Sequence, residues 1–430
     1  MKKVIYISLI LFFSGCKVAS DILHKAISPK IHNYNYTNNA LDNCDFNNAI
    51  QTLKKENDNP SLKNAEIGLV YYFKNKHTIS NKYFDKAINQ YRINENKASF
   101  ALSNILRKEY QGEGYDKVFL HNYKAINYLM LGDAESARVE AKNSNIYQKE
   151  AEKKLNELKS SNQKSSQSFS RFDKIFNSVN PKHHPYQNPF AYYISALGYA
   201  EDGDYDNALI DISKALKYAP YSTILKEKLS QYQNTKNSSS VELFFDVGKS
   251  PTKSQVKLSL DMGNGEIRTV SLPAFSKVYK SDVDYIRIVD SNNNEVARTS
   301  LLSDIKAIKI NEFREKLPSI AYILSKEVGV TLASKALDEK SKGVATIFKV
   351  ANAVYNQQDI STWSLLPEKI LVASFIPKDG EKYNIELISK RGDVIQKVDI
   401  NLKNKNSNTK NIYKHFLIRN NKMCDKGDMR

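Results

Sequence analysis

Cysteine is scarce in this chain, with three residues in 430. That excludes a disulfide-stapled mini-protein and leaves too few thiols for a multi-cysteine zinc module. Histidine is sparse too, with seven residues, and no H-E-x-x-H, G-x-S-x-G, Walker or G-x-G-x-x-G arrangement is present. Past residue 16 no apolar run reaches the roughly 20 residues that a membrane-spanning helix needs; the most apolar, such as ILVASFI at 370–376, are strand-sized. Acidic excess is also missing, since 64 Lys+Arg stand against 47 Asp+Glu for a net charge of +17. A hydrophobic fraction of 41% excludes a wholly disordered chain, and the length allows two or three domains.

What is present begins at the first residues. Lys2 and Lys3 precede an apolar stretch, VIYISLILFF at 4–13, which is too short to span a bilayer and reads as a signal peptide over 1–15. The stretch ends in Phe13-Ser14-Gly15-Cys16, which resembles the bacterial lipobox, with Phe13 where Leu is usual. The resemblance implies cleavage before Cys16 and acylation of it. Each buried acyl methylene contributes about 0.8 kcal/mol, and more than one chain makes the anchor stable. By the sorting rule that accompanies such signals, Lys17 in place of Asp directs the protein to the outer membrane. The expected location is therefore lipid-anchored and periplasm-facing, out of reach of chromosomal nucleic acid.

Residues 16–40 read as anchor and asparagine-rich tether, and 41–232 as helical. The clearest piece is NPFAYYISALGYAEDGDYDNALIDISKALKYAPY at 188–221. Against the tetratricopeptide (TPR) pattern, Tyr192 takes the Trp place, Ala196 the Gly place and Tyr199 the Tyr place. Ala208 and Ile212 take the A-x3-F pair, Pro220 closes the unit, and Ser195 stands where Leu is usual. Small residues at Ala196, Ala208 and Ala215 let two helices approach while Tyr192, Tyr199 and Ile212 fill the remaining volume. Weaker copies precede it: Gly132-Asp133 leads to Ala137, and Phe84 to Ile88 and Phe46 to Ile50 repeat one phrase, which pairs Ala87 with Ala49. Alanine spacings of 38 (49 to 87), 50 (87 to 137) and 71 (137 to 208) predict an irregular solenoid, since a regular array repeats at about 34.

After a polar linker at 233–240 the period changes from helical to alternating. Strands are predicted at 241–247, 255–260, 267–272, 285–290, 295–300, 369–376, 383–389 and 394–400, with a last possible one at 412–419. Gly263-Asn264-Gly265 and Ser291–Asn294 supply turns. A helical insertion is predicted at about 302–357, with Ala321, Leu324, Val328, Leu332 and Ala336 on one helix face. The fold class is α+β and multidomain: a TPR-like solenoid, then a β-sandwich-like domain over 241–402 with an inserted helical hairpin. Residues 403–430 read as a basic tail, with eight basic residues against Asp425 and Asp428, suited to anionic surfaces.

Chemistry is harder to find. Glu109 and Glu113 in KEYQGEGYDKV form a candidate carboxylate pair for glycoside hydrolysis, although solvated or structural roles suit them better. His183-His184 has no second ligand cluster at a usable spacing and reads as an exposed loop. Cys44 and Cys424 remain once Cys16 is acylated; an oxidising compartment permits a bridge, but nothing in the sequence sets their separation. No catalytic residue, cofactor or metal site is predicted, and the chain is expected not to be an enzyme.

The lipobox, the stretches GEGYDKVFLHNYKAINYLMLGDAESARVEAK and NPFAYYISALGYAEDGDYDNALIDISKAL, and the segment DISTWSLLPEKILVASF together resemble a proteobacterial lipoprotein family. Its members have a TPR-like first half, a β-rich second half and no established activity. Their frequent encoding beside small lipoproteins similar to activators of peptidoglycan synthases implies a role in envelope assembly. The expected function is a membrane-anchored scaffold that binds envelope proteins or peptides on a concave helical surface. The alternatives are a peptidoglycan-cleaving enzyme with Glu113 as acid, and a surface protein contacting host or phage. Without Lys2 and Lys3 the mature charge falls from +17 to +15.

Overall fold

The computed structural model describes residues 35–56, 59–96, 112–161, 169–234, 239–261, 267–336, 361–402 and 408–424. Cys16, the signal peptide, Glu109, the turn Gly263–Gly265 and the second predicted helix of the insertion lie outside them. The fold is α+β, with helices filling the first half and strands the second. The helices are α1 (Asn35–Asp42), α2 (Phe46–Lys55), α3 (Pro60–Phe73), α4 (His77–Asn96), α5 (Gly114–Leu131), α6 (Ala134–Ser161), α7 (Asp173–Phe176), α8 (Pro189–Glu201), α9 (Tyr205–Tyr218) and α10 (Thr223–Asn234). A long helix, α11 (Ile305–Ala336), follows the sixth strand.

Local chemistry sets the helix ends. Asn59 and Asn188 cap α3 and α8 by accepting from the backbone N–H of Ser61 and Phe190, and each is followed by a proline in the first turn, where its missing N–H costs nothing. Four helix pairs, α1/α2, α3/α4, α5/α6 and α8/α9, turn on a single residue of left-handed backbone: Cys44 (φ 59°), Asn75 (φ 57°), Gly132 (φ 78°) and Gly203 (φ 81°). At each turn the same two carbonyls of the first helix are satisfied: Leu41, Tyr72, Leu129 and Ala200 accept from the turn residue, and Ala40, Tyr71, Tyr128 and Tyr199 from the residue after it. Asp45, Asp133 and Asp204 then cap the second helix.

This shared turn corrects one register. Counting five residues on from each turn gives Ala49, Ser80, Ala137 and Ala208, so Ser80 and not Ala87 is the counterpart in the second pair. Ala87 instead takes the place of Ala215. The turns are then 31 residues apart (44 to 75), 57 (75 to 132) and 71 (132 to 203).

Eleven strands follow: β1 (Val241–Val247), β2 (Thr252–Asp261), β3 (Ile267–Lys277), β4 (Val283–Asp290), β5 (Glu295–Arg298), β6 (Ser300–Asp304), β7 (Lys369–Phe375), β8 (Tyr383–Ser389), β9 (Val394–Ile400), β10 (Ile412–Arg419) and β11 (Lys422–Met423). They form a five-stranded sheet in the order β11-β10-β1-β7-β6, a four-stranded sheet β5-β4-β8-β9 and a two-stranded ribbon β2-β3. The supposed basic tail is corrected here. Its residues 412–419 pair in parallel with β1 near the middle of the larger sheet, and Arg419 is fully buried.

Strand periodicity explains the layering. In β1 the odd residues Val241, Leu243, Phe245 and Val247 join Ile286, Ile288, Ile385 and Leu387 of the four-stranded sheet in one apolar core. The even residues Glu242, Phe244 and Asp246 face the helices, and Phe244 shares a core with Tyr123, Phe190, Tyr193 and Trp363. A third core joins α11, through Ile310, Phe313 and Leu317, to the ribbon and to Phe172. The predicted tether is shortened by α1, which begins at Asn35.

Candidate functional site

The residues expected to pack the clearest repeat lie in the α8/α9 pair and the turn after it. Ala196, Ala208, Ile212 and Ala215 are completely buried, Tyr199 is half-buried beneath the Arg138 guanidinium, and Pro220 is exposed. Tyr192 donates to Gln187 Oε1 at 2.6 Å and stacks on Tyr218. Its hydroxyl is pushed up to about 12, mainly by burial. Ser195, the departure from the pattern, is buried and donates to Asp211 Oδ2 of α9 at 2.6 Å, so a polar contact replaces the missing leucine.

A polar seam fastens these helices to the larger sheet. Tyr123 of α5 donates to Asp246 Oδ1 at 2.7 Å, and Tyr193 of α8 donates to Glu242 Oε2. Glu242 also accepts from Lys228 Nζ (2.6 Å), Ser240 Oγ (2.6 Å) and Ser374 Oγ (2.9 Å). Glu66 of α3 accepts from the Ser364 backbone N–H (2.8 Å) and hydroxyl (3.1 Å), while Glu201 at the end of α8 accepts from Asn411 and Tyr413. Arg419 donates to the Leu365 carbonyl at 2.8 Å. Burial pushes Asp246 up to about 7, against the hydrogen bond from Tyr123 and the charge of Arg419. Burial likewise pushes Glu66 up to about 8, against its bonds from Ser364 and the charge of Lys309.

The seam decides what the inner helix face can do. The first helix of each of the last three pairs, α3, α5 and α8, sends its side chains into the sheet, and α5 is buried nearly all round. The inward sides of these helices therefore pack on the protein's own β1 and β10. What remains outward are the second helices, α4, α6 and α9, where Ile79, Ile93, Val139 (51% exposed), Ile146 (42%) and Ile210 (51%) stand exposed.

The catalytic candidates meet a different fate. Glu113 caps α5 and accepts from Lys253 and, at 3.1 Å, Lys316. Burial works to raise its carboxyl, but the two lysines outweigh it and hold the group well below the ordinary carboxylate range. A general acid must carry a proton, so this geometry gives Glu113 the role of an ion-pair hub. His183 and His184 are half-buried, which corrects the exposed loop. His184 Nδ1 accepts from the backbone N–H of Tyr186 and Gln187, and its Nε2 lies 3.5 Å from Glu152. Among the described residues no three His, Cys, Asp or Glu gather as a metal site would require, and no helix is long and apolar enough to cross a membrane.

Sequence reasoning missed the seam, because Tyr123, Tyr193, Glu242 and Asp246 are unremarkable until β1 is known to be central. The signal available was the polar residue at alternate positions of an otherwise apolar strand, VELFFDV. Cys44 and Cys424, left open above, are joined in a disulfide with Cα atoms 5.4 Å apart. No protein-family profile matches the chain, and no curated protein matches it either.

Proposed function

We propose that this chain is an envelope lipoprotein, acylated at Cys16 and held at the outer membrane facing the periplasm, that serves as a non-catalytic scaffold for envelope proteins or peptides. Its helix pairs act as TPR-like repeats, and its two larger sheets act as a β-sandwich platform beneath them. The observation that carries this reading is the recurrence of one left-handed turn, with the same two hydrogen bonds, in four helix pairs. Recurrent helix pairs stack into extended surfaces whose use is binding. The disulfide supports an oxidising compartment. Since β1 and β10 fill the inner face, the partner is received on the outward sides of α4, α6 and α9.

Two experiments divide the reading. Cys16→Ala should abolish labelling by a radiolabelled acyl chain, and unchanged labelling would defeat the anchor. Affinity isolation from solubilised membranes should recover a specific envelope protein with the wild type and lose it with the exposed-site variant Val139→Glu/Ile146→Glu; equal recovery by both would remove the outward helices as the binding surface.

A further inference from the structure

The two larger sheets end in four strands, and three of these ends are blunted. β11 has two residues, β6 is met by α10 through Thr223 and Ser300, and β5 has four residues with Glu295 and Arg298 paired to each other. β9 differs. It has seven residues and, among the described strands, pairs only with β8. Its register bulge falls between Leu387 and Ile388, opposite the beginning of β9, so 396–400 pair in unbroken register. Val398 and Ile400 pack toward the core between the sheets, while Lys397 and Asp399 are exposed on the other face. An edge strand of this length is a template for another strand, and its described contact with the other sheet is through the Gln396 side chain, whose Oε1 accepts from the Met423 backbone N–H at 2.8 Å.

We propose that β9 pairs antiparallel with β9 of a second copy of this chain, about a two-fold axis at Val398. Among centres within the regularly paired residues 396–400, only Val398 sets opposite charges across the pair, since the other opposite-charge centre, Ile395 with Asp393 against Lys397, falls at the register bulge. A symmetric antiparallel pairing is centred on one residue, and a shift of centre changes every facing pair. Centred on Lys397, lysine faces lysine; centred on Asp399, aspartate faces aspartate; centred on Gln396, Asp393 faces Asp399. Centred on Val398, Lys397 faces Asp399 twice, Val398 faces Val398 and Gln396 faces Ile400. Opposite charges directly across a strand pair stabilise it and like charges destabilise it. Lys397 Nζ, now 2.7 Å from Asn293 Oδ1 and 3.2 Å from Glu386 Oε1, lies on the face where the partner's Asp399 arrives. The two four-stranded sheets become one of eight strands.

Sedimentation velocity of the purified full chain over a concentration series tests this. The wild type should show a reversible monomer–dimer equilibrium. Asp399→Lys, at an exposed position, should weaken it about tenfold, because both facing pairs change from attraction to repulsion. Val398→Cys should give a disulfide-linked dimer through position 398 on mild oxidation, and adding Asp399→Lys should suppress that product at least fivefold. A wild type that stays monomeric throughout, or a dimer and a 398-linked product both indifferent to Asp399→Lys, would overturn the proposal.

Discussion

Asp246 and Glu66 are the residues that tie the pH response to the architecture. Each is fully enclosed between helix and sheet, and each holds its proton to a higher pH than an exposed carboxyl does, Asp246 to about 7 and Glu66 to about 8. Through these two groups the folded chain binds more protons than the unfolded chain between about pH 4 and 8, and their contribution to stability falls as pH rises through that window, while His77 and His121, held below the ordinary imidazole value by burial, work in the opposite sense at the acid end. Glu113 and Glu140 are shifted the opposite way, so their contribution is already complete above the ordinary glutamate value and adds no slope there. Their share is isolated by comparing the change in thermal unfolding temperature from pH 5.5 to pH 8.5 in the wild type and in a variant without the two carboxyls. The Asp246→Asn/Glu66→Gln variant should lose less stability than the wild type on going from pH 5.5 to pH 8.5, and an identical pH dependence in the two would locate the response elsewhere. None of this was legible in the sequence, because burial of a carboxylate depends on which strand becomes central.

At the scale of elements, the helix pairs were half legible. Gly132-Asp133 and Gly203-Asp204 announce a left-handed turn followed by a cap, whereas Cys44 and Asn75 hold the same backbone without glycine, and Lys76 replaces the capping aspartate. The second pair was consequently set seven residues out of register, on Ala87. The packing gives a reason for its unusual composition. Gly68 of α3 corresponds to Ala125 and Ala196, and Phe84 of α4 corresponds to Ala141 and Ile212, so the larger ring is matched by the smaller partner. A Cβ on Gly68 would lie 2.6 Å from Phe84 Cδ1. Gly68→Ala should cost about 1–3 kcal/mol of stability in a denaturant titration, and Phe84→Leu in the same chain should recover part of it; a neutral Gly68→Ala would mean that the pair is loosely packed.

At the scale of the molecule, the sequence divided the chain correctly into a helical first half and a strand-rich second half, but placed its end outside the fold. IYKHFLIR alternates as a strand does, yet its basic residues Lys414, His415 and Arg419 and the charged flanks read as a solvated tail. In the structure Tyr413, His415, Leu417 and Arg419 turn toward the helices, and the disulfide from Cys424 to the first helix turn fastens this last strand in place. Closing so long a loop restricts the unfolded chain, so Cys44→Ser should lower stability by about 2–5 kcal/mol under oxidising conditions and leave the reduced protein unchanged. The inward sides of the helices are thereby occupied by the chain's own strands, so the proposed partner site lies on the outward helices. Photo-crosslinking in intact cells, with the reactive side chain placed either at Ile146 and Ile210 or at the inner Tyr193, tests that central claim most directly. The account predicts a discrete adduct with an envelope protein from the two outer positions and none from the inner one; an adduct from Tyr193 alone would contradict it.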